Sequence, residues 1–201
     1  MKAVLNVGGG ANRNLLPGHY AGWRQDLLDI DPEVKPDVLM DARELLSATP
    51  AAYDAIFCSH NLEHYHRADC VKVIRGFDHV LAPGGFIEIW VPDFDAVVRH
   101  IVQRNLDIDD VLRDSPVGPI LVRDVIYGFH KEIERSGNDF YCHKTAFTKK
   151  SLETLLRSNG FGFSGVGSHD YCQLFGYFFK QMPTPEQLQM LKLCLPSPQQ
   201  A

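Results

Sequence analysis

"KAVLNVGGGANRN" (residues 2–14) sets a short apolar run directly against three consecutive glycines. Residues 2–7 have the length and composition of a strand, and Gly8, Gly9 and Gly10 stop it. Glycines in that place let the backbone come close to a bound ligand. Open parallel sheets take their ligands at the carboxyl ends of their strands. The pattern of short strand and abrupt stop recurs along the front half. "RQDLLDI" (24–30), "PDVLM" (36–40), "YDAIFCS" (53–59) and "GGFIEIWVP" (84–92) are bounded by Gly, Pro, Asp or a polar turn. They are near-continuously apolar instead of alternating, as strands buried on both faces of a parallel sheet are.

Between the fourth and fifth strands, Val71, Ile74, Phe77 and Val80-Leu81 recur at helical spacing, and "APGG" (82–85) stops that helix. Val97, Val98, Ile101 and Val102 mark a second helix. "DIDD" (107–110) reads as a solvated helix face. Thr148 caps a helix through Leu152, Leu155 and Leu156, closed by Gly160. "FGFSGVG" (161–167) and "YCQLFGYFFK" (171–180) read as an antiparallel pair. Thr184-Pro-Glu-Gln187 fits a capping box, followed by Leu188, Leu191 and Leu195 on one helix face. Five strands with crossover helices, then a helix and two strands, predict an α/β fold: a Rossmann-like doubly wound sheet, mostly parallel with an antiparallel C-terminal strand. Residues 1–182 form this domain, with 105–147 as a lid or acceptor segment, and 183–201 form a C-terminal helix and tail.

Composition narrows the partners. The 201 residues are 45% hydrophobic and 22% charged, ordinary for a soluble globular chain long enough to bury a full core. A net charge of −5 argues against a nucleic-acid partner, which needs a basic face. No apolar run has the length of a membrane span or signal peptide. Five scattered cysteines without a CxxC pair read as reduced thiols, which points to the cytoplasm.

Asp29 ends the second strand about 20 residues after the glycines, the spacing at which a carboxylate accepts hydrogen bonds from a ribose diol. A dinucleotide fingerprint needs a third glycine, but Asn12 stands there. Pro17-Gly18 also cuts short any helix that would hold a pyrophosphate. S-adenosylmethionine carries ribose and adenine and no phosphate, so it makes no such demand. Asp31 competes for the ribose role, although its place before "PEVKP" suits a turn cap.

In this setting the chain resembles the class I S-adenosylmethionine-dependent methyltransferases of the broad type 11 group. The matching segments are "VLNVGGG", "LLDIDP", "VLMDARELL", "YDAIFCSHNLEH", "FDHVLAPGGFIEIWVPD" and "HKTAFTKKSLETLLRSNGF", in the family's order across roughly residues 3–165. The resemblance implies the class I methyltransferase fold, S-adenosylmethionine as cofactor and S-adenosylhomocysteine as product. It implies that Asn6, Gly8, Gly9, Gly10 and Asn12 border the methionine and ribose portion. Asp29, with Ile30 beside it, would bind the ribose; Asp41 and Ala42 would meet the adenine; Ser59 and His60 would border the sulfonium. Asn6 departs from the family's usual acidic residue at that place. The acceptor implied is a small molecule or a glycan. A cofactor-binding protein without turnover is the alternative, with an NAD-dependent oxidoreductase behind it.

"SHNLEHYHR" (59–67) carries the remaining chemistry. His60-x-x-Glu63-His64 matches a zinc-peptidase pattern in which two histidines share one helical face. The strand that ends immediately before His60 leaves no room for that helix, so no metal is expected from it. Methyl transfer needs alignment first, and a base if the acceptor is a hydroxyl. His64, His60 and His143 are the catalytic candidates, with Glu63, Asp93 and His130 behind them. For His64 and His143 the competing role is a hydrogen bond to backbone. Glu63-His64 could also simply begin the helix over 67–81.

Overall fold

A computed structural model of the chain describes residues 1–11, 16–115, 118–169 and 171–194. Asn12 and Leu195 lie outside the described residues.

The five expected strands are present as β1 (Ala3–Val7), β2 (Arg24–Asp29), β3 (Val38–Leu39), β4 (Tyr53–Ser59) and β5 (Leu81–Pro92). A two-stranded ribbon, β6 (Val111–Arg113) and β7 (Ile120–Leu121), follows, and β8 (Phe163–His169) and β9 (Gln173–Phe179) close the chain's main sheet. That sheet has seven strands in the order β3-β2-β1-β4-β5-β9-β8. β1 to β5 run parallel, and β9 runs antiparallel to both β5 and β8. Order reverses between β1 and β4, which places the switch point, and with it any ligand, beyond Val7 and Ser59.

The helices are α1 (Arg67–Val80), α2 (Phe94–Arg104), α3 (Val122–Tyr127), α4 (His130–Ser136), α5 (Lys149–Arg157) and α6 (Pro185–Leu191). Core forms on both faces of the sheet, because each inner strand sends alternate side chains to opposite sides. Leu5, Val7, Ile56 and Ile87 pack with Val73, Ile74 and Phe77 of α1 and with Leu152 and Leu156 of α5. On the other face Val4, Ala55, Phe57 and Phe86 pack with Tyr20, Tyr177 and Leu191 of α6. The expected cap at Thr148 and the expected capping box at Thr184 both form: Thr148 accepts from Ser151 N–H, and Thr184 accepts from Gln187 N–H.

Five expectations change. The connections from β1 to β4 carry 3-10 turns (Gly18–Tyr20, Pro32–Val34, Ala42–Ser47) where crossover helices were expected. Pro17, Pro32 and Pro36 leave segments too short and too interrupted for the costly first turn of an α-helix to be repaid. "APGG" does not lie outside the strand: α1 ends at Val80, and Leu81 already pairs with Tyr53 before a register shift. The buried stripe of α1 is Cys70, Val73, Ile74, Phe77 and Val80, with Val71 only half-buried. On α2, Val97 is buried while Val102 is 74% exposed. "DIDD" is a turn in which Asp107 N–H donates to Asp110 and Asp109 pairs with Arg123, and no helix face forms there.

One buried carboxyl ties a connection to the sheet. Glu88, in the middle of β5, is 0% exposed. It accepts from Tyr20 Oη–H at 2.8 Å and Trp90 Nε1–H at 2.7 Å, and it lies 2.8 Å from His19 Nε2. His19 and Tyr20 belong to the turn that follows the glycine loop, so this cluster fastens that segment against β5.

Candidate functional site

The glycines after β1 each have their own reason. Gly8 has φ +68° and donates its N–H to Leu28 O at 2.8 Å, which ties the loop to β2. A Cβ on Gly8 would sit 2.1 Å from Asn61 Nδ2, and one on Gly9 would sit 2.5 Å from Asn6 Nδ2. The two asparagine side chains therefore occupy the room the glycines leave. Gly10, at φ +57°, has nothing among the described residues within 4 Å of where a Cβ would stand, which leaves room there for a ligand. Its N–H donates to Asp29 Oδ2 at 3.1 Å, while Asp29 Oδ1 accepts from Asp31 N–H at 3.0 Å. Asp29 thus sets the loop's shape, and each of its oxygens keeps a second lone pair for a hydroxyl. Asp31 caps the turn over 32–34 by accepting from Glu33 N–H, the capping role expected of it.

Gly8→Ala is expected to disrupt this loop, because it combines a left-handed backbone with a direct clash on Asn61. The cost should be about 1–3 kcal/mol. Thermal unfolding of the variant checks it; an unchanged midpoint would contradict the packing described.

Beyond β2 and β3 lies a cavity of about 300 Å³ whose lining includes Ile30, Asp41, Arg43, Asn61, His64 and Tyr65. Ile30 is exposed and offers an apolar face. Asp41 is not free: it accepts from Arg43 N–H at 2.9 Å and from the Arg43 guanidinium, which also reaches Asp69. Burial works against the Asp41 charge, but the Arg43 hydrogen bonds prevail and hold the carboxyl below its usual range. Ala42 is buried behind it. Asn61 Oδ1 is buried without a hydrogen-bond partner among the described residues, an acceptor beside Gly8 that protein atoms leave unsatisfied.

A second cavity, about 250 Å³, is walled by His60, His64, His143, Arg113, Tyr141 and Tyr171 among others. His64 lines both cavities. Ser59 closes β4 opposite Trp90. His60 has φ +49°, and its Nε2 lies 2.6 Å from Gln173 Nε2. An amide nitrogen only donates, so His60 Nε2 accepts and its Nδ1–H donates to Glu63 Oε1 at 3.3 Å. His64 Nδ1–H donates to Cys142 O at 3.1 Å, and His143 Nδ1–H donates to Val125 O at 2.9 Å. The rings of His64 and His143 are 4.9 Å apart, edge to face. Glu63 and His64 sit in a 3-10 turn over 62–64, and α1 begins separately at Arg67, so neither residue starts that helix.

The remaining candidates have structural partners. Asp93 caps α2 by accepting from Ala96 N–H, and it accepts from Ser168 Oγ–H at 2.6 Å. His130 is bonded to Asp124 through both its ring and its backbone N–H. Asn61, Arg43 and Gln173 are site residues that the sequence reading missed. Asn61 alone carried a signal, its place immediately after β4.

No protein-family model matches the sequence, and no curated protein matches it. Solved structures do. A SAM-dependent methyltransferase from Archaeoglobus fulgidus superposes with a TM-score of 0.55 at 17% identity, over 84% of this chain and 65% of its own. The fold is that of the class I methyltransferases. A 1,6-didemethyltoxoflavin-N1-methyltransferase from Burkholderia thailandensis gives a TM-score of 0.53 at 16% identity, over 88% of this chain and 69% of its own. A possible histamine N-methyltransferase from Thermotoga maritima gives 0.55 at 14% identity, over 90% and 83%. The chain spans just under two thirds of the length of the Archaeoglobus protein. His60, Asn61 and His64, which line these cavities, directly follow β4 beside the switch point. Among the described residues no helix is long and apolar enough to cross a membrane.

Proposed function

We propose that the chain binds S-adenosylmethionine along the carboxyl ends of β1 to β4 and transfers its methyl group to a small-molecule or glycan acceptor, releasing S-adenosylhomocysteine. The observation that carries this reading is that His64 lines both cavities, while Asn61, whose side chain lies against Gly8, lines the first. The residues fit the cofactor: Gly10 leaves room for a ligand among the described residues, and Asn61 Oδ1 is an unsatisfied acceptor suited to an ammonium group. In this reading Asp29 accepts from the ribose hydroxyls, Ile30 lies against the adenine, and Asp41 and Ala42 edge it. Asn6, Gly8, Gly9 and Gly10 border the methionine and ribose portion, and Ser59 and His60 border the sulfonium. Five unpaired cysteines suit the cytoplasm.

The cofactor supplies an electrophilic methyl group when bound; the chain aligns the acceptor and excludes water. Methyl transfer breaks the sulfur–carbon bond and forms a bond from carbon to the acceptor atom, whose proton must leave if that atom is a hydroxyl oxygen. In this reading His64 takes it, and the hydrogen bond of its Nδ1–H to Cys142 O, which leaves the lone pair on Nε2, supports that role. His60 and His143 line the same cavity as supporting groups.

The test is formation of S-adenosylhomocysteine from S-adenosylmethionine across a panel of hydroxylated and amino small molecules and sugars. His64→Gln should lower kcat about 10²- to 10⁴-fold on a hydroxyl acceptor if it is the base. Binding of the cofactor without product on any acceptor would favour a binding protein that does not turn over. The Asn6 side chain and the Arg43-engaged Asp41 are the observations on that side.

A further inference from the structure

We propose that Glu63, His64 and His143 form a binding site for one divalent transition-metal cation, zinc being the ion their donor atoms suit best. One ligand atom from each lies within 4.8 Å of the others. Two imidazoles and a carboxylate are a donor set that zinc takes in open sites, with a fourth position left for another ligand. The proposal stands on this geometry and does not depend on the methyl-transfer reading; an ion on His64 Nε2 takes the lone pair that the base role needs, so His64 acts as a base only in the metal-free chain.

Three further observations point to a cation. First, Glu63 is 1% exposed, its Oε2 has no hydrogen-bond partner among the described residues, and its Oε1 has only the 3.3 Å contact with His60. A buried carboxylate left so poorly satisfied is costly. Second, His64 and His143 both donate Nδ1–H to a backbone carbonyl, which puts the lone pair of each ring on Nε2. That outer contact is what orients metal-binding histidines and fixes their tautomer. Third, His143 Nε2 faces Glu63 Oε1 at 4.0 Å, too far for a hydrogen bond. A lone pair facing a carboxylate is repulsive with nothing between them. Tetrahedral zinc with bonds of about 2.0–2.2 Å holds its ligand atoms about 3.3–3.6 Å apart, so the two side chains would close in by less than about 1 Å to share an ion.

The backbone holds the site together across the fold. Glu63 O accepts from Lys144 N–H at 2.8 Å and from Thr145 N–H at 3.1 Å, and His143 N–H donates to Tyr127 O at 2.9 Å. The turn after β4 and the end of the 105–147 segment are thereby clamped with the three side chains between them. The ligands are not the helical pair that His60-x-x-Glu63-His64 suggested, since His60 is held by Gln173 instead. His64 and His143 also wall the second cavity, so the open position would take an oxygen or nitrogen donor from a molecule bound there.

The full chain is equilibrated with Zn²⁺, passed into metal-free buffer and measured for metal by mass spectrometry. Replacement by Co²⁺ then gives the ligand set from the visible spectrum. About one zinc per chain is expected, with a cobalt spectrum of nitrogen and oxygen ligands. Glu63→Gln and His143→Asn should each weaken zinc binding by at least about 10- to 100-fold, while His100→Ala on α2 leaves it unchanged. Circular dichroism checks that each variant is folded, and a misfolded Glu63→Gln leaves His143→Asn as the deciding variant. No zinc above background, a thiolate-to-cobalt band, or zinc retained in both folded variants would overturn the site. S-adenosylhomocysteine binding is measured on the same samples. Its loss alone contradicts the cofactor reading, and loss of zinc alone contradicts the metal site.

Discussion

Glu88→Ala is expected to lower the melting temperature by roughly 6–20 °C, the largest stability effect of any single change described. The carboxyl is fully buried and satisfies Tyr20 and Trp90 while contacting His19. Removing it leaves those buried polar groups unpaired and opens a void in β5. Breaking such a buried charged cluster costs about 3–5 kcal/mol, and each kcal/mol shifts the midpoint by about 2–4 °C in a chain this long. Burial and the adjacent Glu88 also push the phenols of Tyr20 and Tyr177 up, which keeps both as hydrogen-bond donors. Glu88→Gln keeps the volume and one acceptor, so it should cost less than half as much. Calorimetric or spectroscopic melting curves of both variants check this, and a Glu88→Ala midpoint within 2–3 °C of wild type would show that the cluster is not what fastens residues 18–20 to the sheet.

Asp29→Ala is expected to weaken S-adenosylhomocysteine binding about 10- to 150-fold, since a hydrogen bond to a charged group is worth about 1.5–3 kcal/mol. Asp29 acts twice. It would bind the ribose directly, and it already holds Gly10 N–H and Asp31 N–H in the unliganded loop. The second role predicts a difference between variants. Asp29→Asn keeps an acceptor for only one of the two backbone donors, so it should recover only part of the lost affinity. Full recovery would mean that the loop's shape does not depend on the carboxylate.

Much of this was legible in the residues. Strands β1, β4 and β5 announced themselves because an inner parallel strand must be apolar on both faces, and such runs are rare elsewhere in a soluble chain; β2 showed only through Leu27-Leu28, since Arg24, Gln25 and Asp26 are polar. The caps at Thr148 and Thr184 were legible because a hydroxyl and its partner three residues on satisfy local backbone groups. Glycine and proline misled at "APGG", where the strand's pairing with β4 overrides the local turn signal. The β6–β7 ribbon carried too few residues to show a period. Long-range juxtapositions left no trace in the sequence. Nothing in "SHNLEHYHR" says that His143 will lie against Glu63, or that Gln173 will fix the tautomer of His60. The metal pattern in that stretch was set aside for a sound reason, the lack of a helix. Yet two of its residues reappear in a donor set completed from a distant segment.

The central claim is that the cleft at the ends of β1 to β4 takes S-adenosylmethionine. Isothermal titration of the wild-type chain and Asp29→Ala with S-adenosylhomocysteine, with NAD as the competing ligand, tests it most directly. The account predicts saturable one-to-one binding to the wild type, affinity lowered about 10- to 150-fold in the variant, and no binding of NAD. Absence of S-adenosylhomocysteine binding to the folded wild type, or NAD binding in its place, would contradict it.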